Sequence, residues 1–251
     1  MKPRLEWRLV SVANCPTNVV TKCYELLDRH FNGVGQDAFL QDLREKEMIA
    51  YLRVCNDTSG DQFEVGGFST MMTSSMSIGG ISHRIVFSGD TIVAQEFRRS
   101  FGLGYCLGEY FYSKLAEGQE NLWYVMLSKG CGTYRAMDFM FQEFAPSPVN
   151  LDNKAIAVAK RFITDKYPSR EICGDIVLVA EDDAQRLRTM SSDLEIESDD
   201  LGKFFSTNNP GFASGDELIC IAKVHPGNFS NMFKRVLRGV RNHEETTTSS
   251  G

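Results

Sequence analysis

The stretch that decides the fold is residues 90–117, which read DTIVAQEFRRSFGLGYCLGEYFYSKLAE. It begins with a short apolar run at 91–94 and continues through a turn rich in arginine and glycine. An apolar residue then recurs at every fourth position, which places these side chains on one face of a helix: Leu103, Leu107, Phe111 and Leu115. Gly118 follows at the position that a helix C-cap prefers. The stretch therefore predicts a strand, a turn and a helix in succession.

The turn in this stretch is suited to binding an anion. The first amides of a helix have no partner within the helix, and the helix dipole places partial positive charge there. Gly102 and Gly104 leave that surface without two side chains, and Arg98 and Arg99 add positive charge. A phosphate could then approach the bare backbone. The alternative is that the connection needs glycine only for its geometry.

The spacing Arg99-x-x-Gly102-x-Gly104 resembles the acyl-CoA loop of the GNAT superfamily of N-acyltransferases. The family pattern is Arg/Gln-x-x-Gly-x-Gly/Ala, between a strand and a helix, and the amides of that loop hold the pyrophosphate of the cofactor. A Rossmann motif fits worse, because the first G-x-G pair is missing. A Walker A motif is excluded, because no Gly-Lys-Ser/Thr follows.

The resemblance implies that acetyl-CoA or another acyl-CoA is the co-substrate. In the family, the strands before and after the loop splay apart, and the pantetheine chain lies in the gap. The residues implied to lie beside the pantetheine are Ile92, Val93 and Ala94. Those implied to surround the pyrophosphate are Arg98, Arg99, Ser100, Phe101, Gly102, Leu103, Gly104 and Tyr105.

The predicted elements follow the order of the GNAT fold, with one added helix at 153–167. We therefore expect an α+β (mixed α/β) fold, in which a central, mostly antiparallel, splayed sheet of about seven strands is flanked by helices. We expect a single domain over 1–242, an insertion or surface lid at 181–216 and a disordered tail at 243–251. Residues 74–82 are small and polar and are expected to form a loop.

The family motif after the fifth strand is only partly present. Its usual Asn and Tyr fall at Gly132 and Phe139, and that Tyr often protonates the departing thiolate. Tyr134 is a candidate substitute for this acid, with a core tyrosine as the alternative. Glu64 and Glu96 are candidate bases for the acceptor amine.

Three functions stay open on this reasoning. The first is an N-acyltransferase, with acetyl as the expected acyl group, in which an amine of a small molecule or peptide attacks the acyl group directly in a ternary complex. The second is a catalytically inactive acyl-CoA-binding or regulatory module on the same fold. The third is a transferase with another acyl carrier. Cys131 and Cys106 suggest a covalent acyl-enzyme, but neither has a His or Asp nearby in sequence, so we interpret them as packing residues.

The composition limits which other functional classes of protein the chain can belong to. The chain has 251 residues, 42% of them hydrophobic, which is enough for a full core. A formal charge of −6 argues against general nucleic-acid binding. The seven cysteines are scattered, without a C-x-x-C pair, so we expect reduced thiols in a cytoplasmic protein, no disulfide framework and no metal site. We see no signal peptide and no apolar run long enough to cross a membrane.

Overall fold

The protein is described by a computed structural model. The residues that it describes are 3–55, 62–98, 101–118, 121–149, 153–178, 186–187 and 199–238. Arg99 and Ser100, two of the residues implied to surround the pyrophosphate, lie outside these ranges, as do residues 243–251.

The described residues alternate between strands and helices along the chain. The helices are α1 (Thr17–His30), α2 (Gln36–Arg44), α3 (Gly102–Ala116), α4 (Cys131–Met140), α5 (Asn153–Lys166), α6 (Asp200–Asn208) and α7 (231–238). The strands are β1 (Arg4–Ser11), β2 (Phe31–Asn32), β3 (Met48–Cys55), β4 (Phe63–Ile78), β5 (Ile81–Val93), β6 (Leu122–Ser128), β7 (Ile172–Cys173), β8 (Ile176–Val177), β9 (Arg186–Leu187) and β10 (Glu217–Lys223).

Eight of these strands form one sheet in the order β1-β3-β4-β5-β6-β10-β8-β7. Every neighbouring pair in it is antiparallel except β5 and β6, which run parallel. The predicted fold class, a mostly antiparallel sheet flanked by helices, is confirmed. The sheet has one strand more than the seven expected, because two two-residue strands, β7 and β8, lie beyond β10 where a single strand was expected.

Successive side chains of each strand point to opposite faces of the sheet, and each face is covered by its own layer of helices. On one face, α3, α4 and α7 pack over residues such as Val86 and Tyr124. On the other face, α1 and α2 cover the β3–β5 side, and α5 covers β5, β6 and β10 through residues such as Phe87 and Val125. The site therefore has a helical wall on each side of the sheet.

The expected loop at 74–82 is wrong: β4 and β5 continue through it as a long hairpin. The ladder reaches Ile78 opposite Ile81, and the turn is formed by Gly79 and Gly80 with φ of 57° and 80°. Positive φ at both central residues is what a tight two-residue hairpin turn requires. Serine and threonine are compatible with these strands because one face of the hairpin is open to solvent, while Met76 packs towards α5.

The segment expected to be a surface lid, 181–216, also contributes to the core. Its described part contains α6, and Phe205 of that helix is fully buried against Tyr134, with ring centroids 5.5 Å apart. The sequence interpretation missed this buried phenylalanine because it was based on the acidic composition of residues 181–200.

Candidate active site

The site is built where β5 and β6 separate. The two strands pair from Arg84 opposite Leu122 to Ser88 opposite Met126. Beyond that point β5 stays with β4, and β6 stays with β10. A gap therefore opens between their carboxyl ends, as the resemblance implied for the splayed strands.

A bulge in β5 lies at the start of this gap. Ser88 pairs with Met71 and Thr91 with Ser69, so Gly89 and Asp90 of β5 stand opposite the single residue Thr70. A bulge of this kind re-aims the side chains that follow it. At Gly89 a Cβ would lie 2.7 Å from both the Lys46 Cε and the Thr70 Oγ1, so the bulge depends on glycine there.

A cleft of about 530 Å³ opens on the α3/α4 side of the gap. Its walls come from the end of β5, the N-terminal turn of α3 and the N-terminal half of α4. The predicted cofactor residues that line it are Ile92, Val93, Arg98, Phe101, Leu103 and Gly104. Ala94, Gly102 and Tyr105 are not among its lining residues: Ala94 is buried in the α1/α2 layer, and Gly102 and Tyr105 are half-buried outside the cleft wall.

The N-terminal amides of α3 lie at this cleft. The first hydrogen bond of the helix runs from the Tyr105 amide to the Phe101 carbonyl, 3.1 Å, so the amides of residues 102–104 precede the intrahelical ladder. The Arg98 Nε donates to the Val93 carbonyl, 3.0 Å, and this bond holds the arginine against the end of β5. Partial positive charge and a guanidinium thus meet on one wall, which suits an anion.

Both glycines of the loop are also packing residues. A Cβ on Gly102 would lie 1.8 Å from the Trp7 ring, and one on Gly104 would lie 2.8 Å from the Phe139 ring. The geometric explanation of these glycines and the anion-site explanation therefore apply together: close packing brings the helix end to the cleft, and the bare backbone faces it at Gly104.

The N-terminus of α4 forms the opposite wall. Gly130, Cys131, Gly132 and Thr133 all line the cleft. Two residues separate this helix from the end of β6, so the first amides of α4, which precede its intrahelical hydrogen bonds, lie at the same cleft. Arg135, one turn further along, donates to the Asp199 carboxylate at 2.7 Å, and this contact lowers the pKa of that carboxyl.

A smaller cavity of about 210 Å³ lies on the α1/α2/α5 side of the gap. The charged groups that line it are Asp42, Asp90, Lys129, Arg170 and Glu217. Apolar walls come from α2, β5 and β6.

The two cavities meet in the gap between the strands. Four residues line both of them: Phe31, Thr91, Lys129 and Thr133. A group held in the cleft and a group held in the cavity can therefore approach each other here from opposite faces of the sheet.

Asp90 is the functional candidate that the sequence interpretation missed. The bulge directs it to the cavity, and no described residue donates a hydrogen bond to its carboxylate. Burial raises the pKa of Asp90 to about 6, with Asp42 and Glu217 adding to the rise and Lys129 and Lys46 opposing it. A carboxylate with this pKa is matched to proton transfer near neutral pH. The sequence signal that could have indicated the bulge, and with it Asp90, is the Ser88-Gly89 interruption in an otherwise regular strand.

The described part of the chain offers no metal centre or disulfide. No group of three potential metal ligands is found among the described residues. None of the seven cysteines, all within the described ranges, forms a disulfide. Within the same ranges, no helix combines the length and the apolarity that crossing a bilayer requires.

Comparisons with known proteins give likenesses in structure only. No protein-family model and no curated protein matches the sequence. Among solved structures, a probable N-acyltransferase of Enterococcus faecalis matches at 12% identity and TM-score 0.41, over 55% of this chain and 33% of that one. A GNAT family N-acetyltransferase of Escherichia coli in complex with CoA matches at 18% and 0.37, over 56% and 71%. NAA60 of Arabidopsis thaliana in complex with a bisubstrate analogue matches at 11% and 0.40, over 91% and 100%.

The order of elements along the chain, the strands that splay apart and the helix that starts at the gap are those that the resemblance implied. The chain has the fold class that the GNAT resemblance implied. It spans about a third of the length of the Enterococcus faecalis protein. Its activity is a separate question, which depends on the residues of the cleft and the cavity.

Two residues at GNAT motif positions lie in the cleft. Gly132 and Phe139, which occupy the positions of the usual Asn and Tyr, both line it. Phe139 brings a ring without a hydroxyl and stacks on Phe101, with centroids 5.7 Å apart. The two motif positions therefore lie in one cleft, and neither residue there provides the hydroxyl that the usual Tyr would bring.

The three predicted catalytic residues are not brought together. Glu64 and Glu96 are exposed, and neither lines the cleft or the cavity. Tyr134 is fully buried, and its hydroxyl donates to the Pro146 carbonyl at 2.9 Å. Burial raises the pKa of Tyr134. This placement corresponds to the core alternative for Tyr134.

Tyr134→Phe is accordingly expected to leave kcat within about twofold of the wild type, because the hydroxyl does not reach the cleft. It removes one hydrogen bond to Pro146, so unfolding in urea should show a loss of about 1 kcal/mol. A roughly tenfold fall in kcat at unchanged CoA affinity would instead restore Tyr134 as the proton donor.

Proposed function

We propose that this chain is an acyl-CoA-dependent N-acyltransferase, with acetyl-CoA as the simplest donor. The observation that carries the proposal is the pair of cavities on opposite faces of the sheet, joined through Thr91 and Thr133, with Asp90 in the smaller one. A donor cleft, an acceptor cavity and a base at their junction are the parts that direct acyl transfer needs.

The cleft residues fit an acyl-CoA. The amides at the start of α3 and the Arg98 guanidinium suit the pyrophosphate, and the apolar side chains of Val93 and Leu103 suit a pantetheine chain. Bound acyl-CoA would supply an acyl group activated as a thioester.

The chain's own residues then supply proton transfer and positioning. The Asp90 carboxylate accepts a proton from the acceptor ammonium, which leaves a neutral amine facing the gap. The N-terminus of α4 stabilises negative charge on the cleft side. The Thr133 hydroxyl lines both cavities and can donate a hydrogen bond where Phe139 cannot.

Isothermal titration with acetyl-CoA, and with CoA as comparison, tests the donor site. We expect dissociation constants of roughly micromolar order for both, since the cleft recognises the CoA portion. Absence of binding to either molecule would remove the basis of the proposal.

Leu103→Glu is the sharper test of the anion site. The new carboxylate lies in the first turn of α3, where negative charge favours the helix but repels a pyrophosphate. CoA affinity should fall at least about tenfold, equivalent to roughly 1.4 kcal/mol. This variant is preferable to Gly104→Glu, because a Cβ at position 104 would clash with Phe139.

Gln36→Glu is the matched control for that variant. It adds the same charge to the first turn of α2, where Gln36 is exposed and lines neither cavity. Equal CoA affinity in Leu103→Glu and in this control would place the pyrophosphate elsewhere.

A second candidate function is an acyl-CoA-binding module without chemistry. It is favoured by one observation, the phenylalanine and glycine at the motif positions in the cleft. Binding of acetyl-CoA, without release of CoA in the presence of any amine, would select this function over the transferase.

A further inference from the structure

His30, the last residue of α1, lies at the cleft although α1 belongs to the layer on the other face of the sheet. Its chain neighbour Phe31 lines both the cleft and the smaller cavity. The Lys129 Nζ lies 5.4 Å from the centre of the Phe31 ring, so the end of α1 is held close to the residues that precede α4. His30 therefore lies on the cleft side of the junction between the two cavities.

One ring nitrogen of His30 is fixed by the helix that carries it. The Nδ1 lies 2.9 Å from the Leu26 carbonyl oxygen. Because a carbonyl oxygen only accepts hydrogen bonds, Nδ1 carries a proton in this contact. The side chain of Leu26 is 1% exposed, and the Phe31 amide closes the helix on the Leu27 carbonyl. The group that holds the ring is thus itself fixed in the packed layer.

The other ring nitrogen, Nε2, is available to a ligand. No described residue forms a hydrogen bond with it. The neutral ring and the imidazolium both keep the Nδ1 proton on the Leu26 carbonyl, so His30 gains and loses its second proton at Nε2 alone. A half-buried imidazole that is oriented through one nitrogen and open at the other is suited to proton transfer.

The sulfur of CoA leaves as a thiolate and takes up a proton to become the free thiol. The described wall of the cleft contains no carboxyl group and no phenol that could take part in this step. The guanidinium groups of Arg98 and Arg135 stay protonated in proteins. Loss of the Lys129 proton would remove a cation that lies 3.5 Å from the buried Glu217 carboxylate. The cations of the cleft are therefore poor proton donors.

The thiol and the hydroxyl in the same wall are poor donors for other reasons. Cys131 lines the cleft, but proton transfer from its thiol to the CoA sulfur would only exchange one thiolate for another. The Thr133 hydroxyl can donate a hydrogen bond, but it does not give up its proton near neutral pH. Within the described wall, the imidazole of His30 is left for this step.

We infer that His30 is a catalytic residue of the proposed reaction, in which its imidazolium Nε2 donates a proton to the CoA sulfur as the thioester breaks. The inference rests on the proposed function, because it assigns a residue to one step of the same reaction. Asp90 takes a proton in the cavity and His30 gives one in the cleft, so the two proton transfers use different groups on the two sides of the junction.

The reaction balances with these groups. A nitrogen–carbon bond forms between the acceptor amine and the acyl carbon, and the carbon–sulfur bond breaks with its electron pair on sulfur. The sulfur takes the Nε2 proton of His30, which leaves a neutral ring. The ammonium loses two protons to solvent, the first through Asp90, and His30 recovers one proton from solvent. The step consumes no oxidant or reductant.

Nuclear magnetic resonance tests the contact without an acceptor. The chain has four histidines, so the ring proton resonances of His30 can be identified by their loss in His30→Asn. CoA is compared with desulfo-CoA, which has the same nucleotide and pantetheine portions but no sulfur. We expect the His30 resonances to shift with CoA and this shift to be lost with desulfo-CoA. Equal shifts with both molecules, or no shift with either bound molecule, would overturn the inference.

His30→Asn separates proton transfer from structure. Asparagine can donate to the Leu26 carbonyl in place of Nδ1, but it has no group that transfers a proton at Nε2. Initial rates of CoA release from acetyl-CoA are measured with butylamine, phenethylamine, 4-aminobutyrate and spermidine, and the fastest acceptor is used. We expect kcat to fall at least about tenfold, with CoA affinity and melting temperature unchanged. An unchanged kcat would contradict the inference.

Chemical rescue distinguishes a proton donor from a ring that only packs. His30→Ala opens a space of the size of the ring at the cleft, and imidazole added to the solution should raise the kcat of this variant at least about threefold. His225→Ala is the control, because His225 is exposed and lines neither cavity. It should keep the kcat of the wild type with and without imidazole. A loss of kcat in His30→Ala without rescue, together with normal kcat in His30→Asn, would make His30 a structural residue.

Failure of the inference differs from failure of the proposed function. If the chain binds no CoA, the proposed function fails. If it binds CoA and acetylates an amine at the same rate in His30→Asn, the function stands and the inference fails. If it binds CoA and acetylates no amine of the panel, the comparison of CoA with desulfo-CoA decides on the inference alone.

Discussion

Asp90→Asn is expected to lower kcat at least about a hundredfold, because the acceptor ammonium then has no carboxylate to take its proton. Asparagine matches aspartate in shape, so the bulge at Gly89 and the cavity wall should persist. The affinity for CoA should stay unchanged, because the cleft proposed for CoA lies on the other face of the sheet. The measurements are steady-state kinetics with the best acceptor and isothermal titration with CoA.

The pH profile gives an independent readout of the same group. Because the pKa of Asp90 is raised to about 6, kcat/KM should fall as pH drops through 6 and should level off above it, until other groups titrate. The groups that face Asp90 are Asp42 and Lys46 from the α2 side, Lys129 after β6, Glu217 of β10 and Tyr167 after α5. Asp90→Asn should abolish the acidic limb.

Stability should change in the opposite direction to activity. The pKa of Asp90 is about 6 in the folded protein against 3.8 for an ordinary aspartate, so the folded state binds more protons between these values. Ionised Asp90 therefore destabilises the fold above pH 6, by on the order of 2 kcal/mol after allowance for its contact with water in the cavity. Asp90→Asn should melt higher than the wild type at pH 7.5, and the difference should vanish below about pH 4.

Two comparison variants identify the base. Glu64→Gln and Glu96→Gln remove the carboxylates that the sequence suggested, which are exposed and lie outside both cavities. If both glutamate variants keep normal turnover and Asp90→Asn loses it, the base is Asp90 of β5. Loss of turnover in either glutamate variant, with normal activity in Asp90→Asn, would return the role to the sequence-predicted residue.

Phe111→Ala is expected to reduce the free energy of unfolding by about 3–5 kcal/mol, the largest stability effect among these variants. Phe111 of α3 is fully buried and contacts four other rings: Tyr124, Phe141, Phe229 and Phe233. These rings belong to β6, to the segment after α4, to the segment after β10 and to α7, so truncation leaves a cavity where four parts of the chain meet. Urea unfolding followed by tryptophan fluorescence measures the change.

Phe101→Ala is the control from the same region. Phe101 is 56% exposed and stacks only on Phe139 among the described ring pairs, so its truncation should cost less than about 1 kcal/mol. A loss of similar size in both variants would mean that α3 is not anchored through Phe111.

The sequence predicted the fold better than the chemistry, for a physical reason. The strand, turn and helix of residues 90–117 follow from local periodicity and glycine positions, and the order of elements follows from similar signals along the chain. The six cofactor residues that line the cleft all lie within positions 92–104. Local sequence is enough to group them.

The acceptor side could not be predicted in this way. Asp42, Asp90, Arg170 and Glu217 are separated by up to 175 positions and meet only because α2, β5, β10 and the end of α5 share one face of the sheet. The candidate bases rest on position along the chain, Glu64 on the third strand of the fold and Glu96 beside the phosphate loop, and the local pattern does not say which strand ends at a cavity. Tyr134 shows the same limit, since its helix was predicted and the direction of its side chain was not.

The bulge in β5 makes the length of this strand a constraint of its own. Residues before and after it are in different alternation phases, so Phe87 and Ile92 both reach the face covered by α1, α2 and α5 although they are five positions apart. Deletion of one residue at 89–90 would change none of the side chains that follow in the strand, but it would move each of them to the opposite face of the sheet. Among related chains, the number of residues in this segment should therefore be as constant as the glycine and the aspartate within it.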